Sequence, residues 1–401
     1  MKRYWKILSL CMVTVLVIGA FYTQSGLKAK ENTKIDFKKV SGNDEEVAHL
    51  MINADLEVGN LYQSLQITNN ETINLNSQSV FQKLARNSTV PVVNHLIEQY
   101  RTFMRGKEVN PNYFYEDKEL VAFAAIITKD SRDSSFDIDL LNKKSKETTS
   151  FQLAVPKSQP YSWMEVVDVQ VNDGNLKVIA RGARAAGGSD LNIYTMNIDE
   201  QRVVRNEVVY TAPAVKNGWV EISVINDYYS IQPEKWLLFK VENYEDNQAQ
   251  GEGEMAVDGE PKLVVNDVMV YDLENNQSKK IMAADEVLRS ISNTSAIFQS
   301  TMYIPSIAAS GFEVSKYDLE KDKWGKKLTV DLPIHTDNNI QYIKLMNGKV
   351  YIIQATNHHY TLSICDLLTG KSLYEGELIV KNTREGEHDF LFHVNDIGSV
   401  Q

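Results

Sequence analysis

The chain has 401 residues, of which 43% are hydrophobic and 24% charged, and its formal net charge is −11 at pH 7. Its 20 Gly, 9 Pro and 2 Cys exclude collagen-like, low-complexity and disulfide-stapled proteins, so we expect a packed globular chain. No Lys/Arg stripe follows the N-terminus, which argues against a nucleic-acid partner because phosphate binding needs clustered cations.

The N-terminus carries an export signal. Lys2, Arg3 and Lys6 precede the uncharged apolar segment 7–22, and this order of charge and apolar residues is typical of signal peptides and signal anchors. We interpret residues 1–29 as a retained single-pass anchor, because the candidate cleavage sites have bulky residues at −3; a cleaved signal is the alternative. The apolar residues expected in the membrane include Ile7, Leu10, Val13, Val17 and Phe21.

The remaining chain is then expected outside the cytoplasm, with a linker over residues 30–47 and a β-propeller over residues 48–401. Segment 77–106 interrupts the β pattern and is predicted to be a helical insert, with Pro91 suited to a first helical turn and Gly106 to a C-cap. Its apolar residues recur at helical spacing and are expected to pack against the strands: Val93, Leu96, Ile97, Tyr100 and Met104.

From about residue 109 onward one β-unit recurs five times: an alternating strand that ends in Asp, a polar turn and a further strand. The spacing between units, about 46 to 73 residues, is compatible with propeller blades. We expect the recurring Asp side chains to cap strand-end turns. They are Asp139, Asp199, Asp272, Asp318 and Asp366. The acidic stretch 245–260 is predicted to be a solvated loop.

Two tight hairpins support four strands in each unit. Asp173-Gly174 and Asn347-Gly348 each separate two β-rich runs, and these dipeptides supply the positive φ of two-residue hairpin turns. The C-terminal run HDFLFHVN has no blade after it, while the N-terminal strands near residue 50 lack a first strand. Pairing of the two would close the fold. The sequence therefore predicts a mainly β protein, a six-bladed β-propeller, with seven blades also compatible.

No motif for metal binding or nucleophilic catalysis appears, and no metal or cofactor is predicted. Two loops are candidate ligand sites. The Gly/Ala-rich stretch 180–191 could let the backbone approach an anion, with a flexible connection as the alternative. The second loop contains His358 and His359 and lies beside an inferred blade turn. The candidate residues are Arg181, Arg184, Gly187, Gly188, His358 and His359.

The last unit, CDLLTGKSLY over residues 365–374, resembles the repeat of quinoprotein and related propellers, in which Asp, Thr-Gly and a later aromatic residue lock adjacent blades. Only this unit has Thr369-Gly370, and Tyr374 stands where that repeat has Trp, so the resemblance supports the fold and no quinone cofactor is expected. The whole chain also resembles uncharacterised membrane-anchored, propeller-like proteins of the Gram-positive cell envelope.

These features predict a membrane-tethered extracytoplasmic module that binds a protein or cell-envelope ligand, such as a glycan. The alternative is an extracytoplasmic hydrolase or lyase whose site is assembled from several blades on the propeller axis, since propellers combine residues from sequence-distant loops.

Overall fold

The fold is seen in a computed structural model of the chain. It describes residues 12–16, 34–58, 61–77, 90–130, 133–225, 227, 230–246, 261–292, 294–308, 311–330, 339–356, 359–381 and 390–399. Residues 247–260 of the predicted acidic loop and residues 78–89 of the predicted helical insert lie outside the described residues. Of the five apolar residues named above for the predicted anchor, only Val13 is described. It lies in the helical segment 12–16, where its side chain is exposed.

The described residues are mainly β. The strands, in chain order, are β1 (Lys34–Gly42), β2 (Leu50–Val58), β3 (Leu61–Thr68), β4 (Thr72–Asn74), β5 (Phe114–Glu116), β6 (Leu120–Asp130), β7 (Asp133–Asn142), β8 (Thr148–Ala154), β9 (Tyr161–Asn172), β10 (Asn175–Arg184), β11 (Ser189–Asn197), β12 (Arg202–Ala212), β13 (Gly218–Ile225), β14 (Trp236–Glu245), β15 (Lys262–Asp272), β16 (Gln277–Lys280), β17 (Ala296–Phe298), β18 (Thr301–Ala308), β19 (Gly311–Asp318), β20 (Lys323–Trp324), β21 (Leu328–Thr329), β22 (Asn339–Met346), β23 (Lys349–Thr356), β24 (His359–Asp366), β25 (Ser372–Lys381) and β26 (Phe390–Ser399). The α-helices are α1 (Pro91–Gln99), α2 (Arg101–Met104) and α3 (Asp285–Ser290).

Across the described residues these strands form six sheets, each built on four antiparallel strands. Five of the sheets take four consecutive strands in order, and the sixth places β26 beside β2, β3 and β4. The chain divides into two compact units. The first unit, residues 1–89 and 329–401, contains the sheets β26-β2-β3-β4 and β22-β23-β24-β25-β1. The second, residues 90–328, contains the sheets β5–β8, β9–β12, β13–β16 and β17–β20, with β21 paired to β19.

The C-terminal strand pairs with the N-terminal sheet, as the sequence predicts. β26 lies antiparallel to β2, with Leu56 opposite Phe392 and Ile52 opposite Ile397. All four side chains are buried in one apolar cluster, which joins the two sheets of the first unit. In the second unit, each sheet likewise packs on the next through buried apolar faces.

The structure differs from the predicted linker at residues 34–42. These residues form β1, a fifth strand whose Lys34 lies opposite Lys381 of β25. Ile35 is buried in the core cluster and Phe37 packs against it, while Lys38 is exposed. The segment has the period-2 pattern of an edge strand with one face on a core.

The helical insert contains α1 and α2. Pro91 occupies the first turn of α1, where the missing N–H costs no hydrogen bond. The buried side chains of Val93, Leu96 and Met104 share one cluster with Phe123 of β6. The insert therefore packs its apolar face on the sheet β5–β8.

Both hairpin predictions are confirmed, because Asp173-Gly174 and Asn347-Gly348 have positive φ and connect paired strands. The turn-capping prediction is confirmed at Asp272, Asp318 and Asp366, which accept backbone N–H bonds two or three residues ahead. It is wrong for the other two Asp positions. Asn142 and Asn197 cap those turns instead, since a short amide accepts the same bond.

Asp139, one of the two mistaken turn caps, lies within β7. Its carboxylate pairs at 2.5 Å with the ammonium of Lys107, which follows α2. Asp139 therefore stabilises the packing of the helical insert on β7, and the true strand end lies three residues later, at Asn142.

Candidate binding pocket

The loop between β10 and β11 is held by Arg184. Its guanidinium pairs with Asp190, donates to the backbone oxygen of Ala212 at 2.7 Å and donates to that of Gly187 at 3.2 Å. Gly188 has φ +82, and a Cβ there would lie 2.4 Å from the same Ala212 oxygen. The predicted loop is thus a tight turn in which glycine is required by backbone geometry.

Arg181 also has partners within the protein. Its guanidinium pairs with Glu165, donates to the backbone oxygen of Ile222 at 2.8 Å and lies 5.4 Å from the Trp163 ring. A ligand role for either arginine stays a prediction. His358 lies outside the described residues, and so does the side chain of His359.

A pocket of about 270 Å³ lies within the first unit. It lies between strands of both sheets of that unit. The lining residues are Asp55 and Glu57 of β2, Tyr62 of β3, Gln341 of β22, Tyr360 of β24, and Leu391, Phe392 and His393 of β26. Among the predicted ligand-loop residues whose side chains the structure describes, none lines it; they are Arg181, Arg184, Gly187 and Gly188.

Strand pairing assembles the polar side of this pocket. Asp55 and Glu57 are two residues apart on β2, so their side chains share one face. In the ladder, Asp55 lies opposite His393, and Glu57 lies opposite Tyr62. β2 and its two neighbours, β26 and β3, thus bring two carboxylates, an imidazole and a phenol to one patch.

Asp55 is held as a carboxylate. Burial alone would raise its pKa, but hydrogen bonds from Asn395, Ser64 and Tyr62, with the charge of His393, outweigh burial and lower it. The Asn395 and Ser64 bonds measure 2.8 and 2.7 Å. The bond to Asp55 in turn raises the pKa of the Tyr62 phenol. Asp55 is therefore a fixed negative charge at neutral pH, unsuited to be a general acid.

Aromatic rings form the apolar side. Tyr360 and Phe392 are buried and meet edge to face at 5.2 Å, and Phe390 lies 5.6 Å from Tyr360. The Tyr360 hydroxyl accepts a 2.9 Å hydrogen bond from the Phe392 backbone N–H. Tyr62, at 61% exposure, leaves its ring open at the rim.

Gln341 lies at a β-bulge of β22, between Ile340 and Tyr342, where the register to β23 shifts. Bulges redirect side chains and are common beside functional sites. The Gln341 side-chain oxygen is shielded from water and has no hydrogen-bond partner in the described structure. Such an acceptor carries a desolvation cost that a donor in the pocket would remove.

A second cluster of polar side chains lies in the other unit. Asp168 of β9 is buried, and the side-chain amide of Gln170 donates to it at 3.2 Å while accepting from the backbone N–H of Glu234 at 2.9 Å. Burial raises the pKa of Asp168. Burial also raises the pKa of Glu234, and the charges of Asp168 and Asp227 add to that effect. Glu234 lies just before β14 and is partly exposed as a residue, whereas Asp168 is buried.

Within the described ranges, no group of three or more His, Cys, Asp or Glu side chains could hold a metal ion. The same ranges contain no helix that is long and apolar enough to cross a membrane. Of the predicted anchor segment 7–22, residues 12–16 lie within them.

No protein-family model matches the chain, and no curated protein does. Solved structures with some similarity include an uncharacterised protein from Listeria monocytogenes EGD-e, with 10% identity, 68% of each chain covered and a TM-score of 0.35. A putative 6-phosphogluconolactonase from Bacteroides uniformis shares 11% identity over 86% of this chain and 99% of its own, with a TM-score of 0.28. A GH43_1 enzyme from Xanthomonas citri complexed with xylotriose shares 10% identity over 66% and 84%, with a TM-score of 0.26. These values are too low to assign a function.

Proposed function

We propose that the chain is an extracytoplasmic binding module that is tethered to the membrane by residues 7–22. In this proposal the six sheets are the blades of a six-bladed propeller, and the pocket around Asp55 and Tyr360 receives a protein or cell-envelope ligand. The repeated four-stranded sheets and the pairing of β26 with β2 support this finer fold.

The pocket is the observation that carries the binding function. It combines an apolar aromatic wall with several convergent polar groups, which is the usual composition of a recognition site. Asp55 is fixed as a carboxylate by three hydrogen bonds, so the polar side is preorganised for a ligand. Leu391 is 66% exposed at the edge of the pocket. It adds apolar surface that water contacts until a ligand covers it.

Site-specific photo-crosslinking tests the proposal. A photoreactive amino acid replaces Leu391 at the pocket edge in the full-length chain, and intact producing cells are irradiated. Val208 of β12, a 49% exposed residue in the other unit, is the matched control. We expect a defined envelope component to crosslink at position 391 and not at position 208. Absence of a product at 391, or equal products at both positions, would overturn the assignment of this pocket.

A second candidate function, a hydrolase or lyase, is supported by the Asp168–Glu234 pair. Asp168 lies on β9 and Glu234 lies just before β14, and burial raises the pKa of each, as acid–base catalysis near neutral pH requires. Purified residues 34–401 would be screened against glycoside, ester and lactone substrates. Turnover that both Asp168→Asn and Glu234→Gln abolish while the protein stays folded would establish this function. No turnover by the unmodified protein would reject it for those substrates.

A further inference from the structure

The polar groups of the pocket are dominated by acceptors and negative charge. Within the described part of the chain, neither Asp55 nor Glu57 forms an ion pair with a lysine or arginine. Carboxylates elsewhere have such partners: Glu116 pairs with Lys143 at 2.6 Å, and Glu46 pairs with Lys349 at 2.5 Å. Within the described residues, the pocket therefore holds two acidic groups that pair with no lysine or arginine, and the basic side chain beside Asp55 is His393 of the opposing strand.

The other atoms around the pocket point to the same type of ligand. The Gln341 side-chain oxygen is an unsatisfied acceptor, which a donor-rich group would satisfy. The rings of Tyr62, Tyr360 and Phe392 line the pocket, and aromatic faces attract ammonium and guanidinium groups. The net charge of −11 on the chain gives a long-range field of the same sign as the pocket.

We infer that the pocket binds the basic side chain, lysine or arginine, of a polypeptide partner. The inference rests on the proposed binding function and names its ligand class. A volume of about 270 Å³ is below the range typical of drug-sized ligands and suits one inserted side chain. Anionic groups are disfavoured by the two carboxylates, and the described residues do not provide three side chains for a metal ion.

Ligand-detected saturation-transfer NMR on the purified full-length chain tests the inference. The probes are acetyl-lysine methylamide and acetyl-arginine methylamide. Their uncharged analogues, acetyl-norleucine methylamide and acetyl-citrulline methylamide, match them in shape. Glucosamine separates a sugar amine from a polypeptide side chain. We expect signals from a basic amino-acid probe and none from either analogue, and binding should weaken as salt rises from 50 to 500 mM.

Variants locate the site. Glu57→Gln removes one exposed charge with little change in shape and should weaken binding about 3- to 5-fold, as for one solvent-exposed ion pair. Tyr62→Ala removes an exposed ring and should weaken it by a similar factor, about 2- to 5-fold. Glu71→Gln, an equal charge change in the turn between β3 and β4 and outside the pocket lining, is the matched control and should leave affinity unchanged.

The outcomes separate this inference from the proposed function. If position 391 crosslinks to an envelope component but neither basic probe binds, the inference is overturned and the binding function stands. Binding of glucosamine alone, of the uncharged analogues, or equal loss with Glu71→Gln would also overturn it. If position 391 gives no crosslinks but a basic probe binds specifically, the proposed envelope ligand is rejected and the inferred binding of basic side chains is retained.

Discussion

The hydrogen bond between Tyr360 and Phe392 predicts a measurable loss of stability when the hydroxyl is removed. The Phe392 backbone N–H is satisfied by the Tyr360 hydroxyl at 2.9 Å, in a region where both residues are almost fully buried. Tyr360→Phe keeps the ring and its contacts with Phe390 and Phe392 but orphans this N–H. A buried donor without a partner costs about 1 to 3 kcal/mol, so we expect a loss in that range.

Urea denaturation followed by far-UV circular dichroism measures this loss. The tryptophans after residue 5 all lie in the second unit, so their fluorescence reports less directly on the unit that contains Tyr360. Tyr62→Phe is the control: it removes the hydrogen bond to Asp55, but at this exposed rim water replaces the lost donor, and we expect a change below about 0.5 kcal/mol. Amide hydrogen exchange at Phe392 should accelerate only in Tyr360→Phe. If exchange at Phe392 and the unfolding midpoint both stay at wild-type values, the reasoning is wrong.

Three further predictions concern the acid pair, the tight loop and the turn caps. Glu234 has a native pKa above its unfolded value of 4.5, so the native state loses stability as pH rises from about 4.5 to about 8. The variant Glu234→Gln should remove this contribution to the pH dependence. Urea unfolding midpoints at pH 5 and pH 8 measure the difference. Gly188→Ala should destabilise by about 1 to 3 kcal/mol more than Gly106→Ala in thermal unfolding, since both have φ +82 but only the first Cβ would meet a backbone oxygen, at 2.4 Å. Asp366→Ala should cost about 0.5 to 1.5 kcal/mol through loss of its turn bonds, and Asp199→Ala, which removes no turn cap, should cost less in the same assay. Equal effects in either matched pair, or a wild-type pH dependence that survives in Glu234→Gln, would contradict these assignments.

Local signals in the sequence were sufficient where a few residues determine the backbone. Asp173-Gly174 and Asn347-Gly348 adopt positive φ and form the hairpins that their identity predicts. The position of β26 beside β2 also followed from the sequence, because each segment was incomplete as a four-stranded unit by itself. Such inferences need only strand periodicity and turn chemistry.

The repeat register was harder to predict, because Asp and Asn both accept the backbone bonds of a turn. Asp139 lies inside β7, where it pairs with Lys107, and Asn142 caps the turn. The pattern of an alternating strand followed by Asp could not separate an Asp on a strand from an Asp at its end. The nine-residue strand β1 was missed for another reason, since only Ile35 and Phe37 provide its apolar face.

The pocket depends on neighbours that no linear motif records. Asp55 and Glu57 alternate with apolar residues on β2, and this pattern marks an ordinary half-exposed strand. What distinguishes them is the opposing strand: His393, from the far end of the sequence, lies across from Asp55, and Asn395 donates to the same carboxylate. The strand pairing that joins the chain ends therefore also assembles the polar side of the pocket. A variant that weakens the pairing of β26 with β2 should lose ligand binding before the second unit unfolds, because every residue lining the pocket belongs to the first unit.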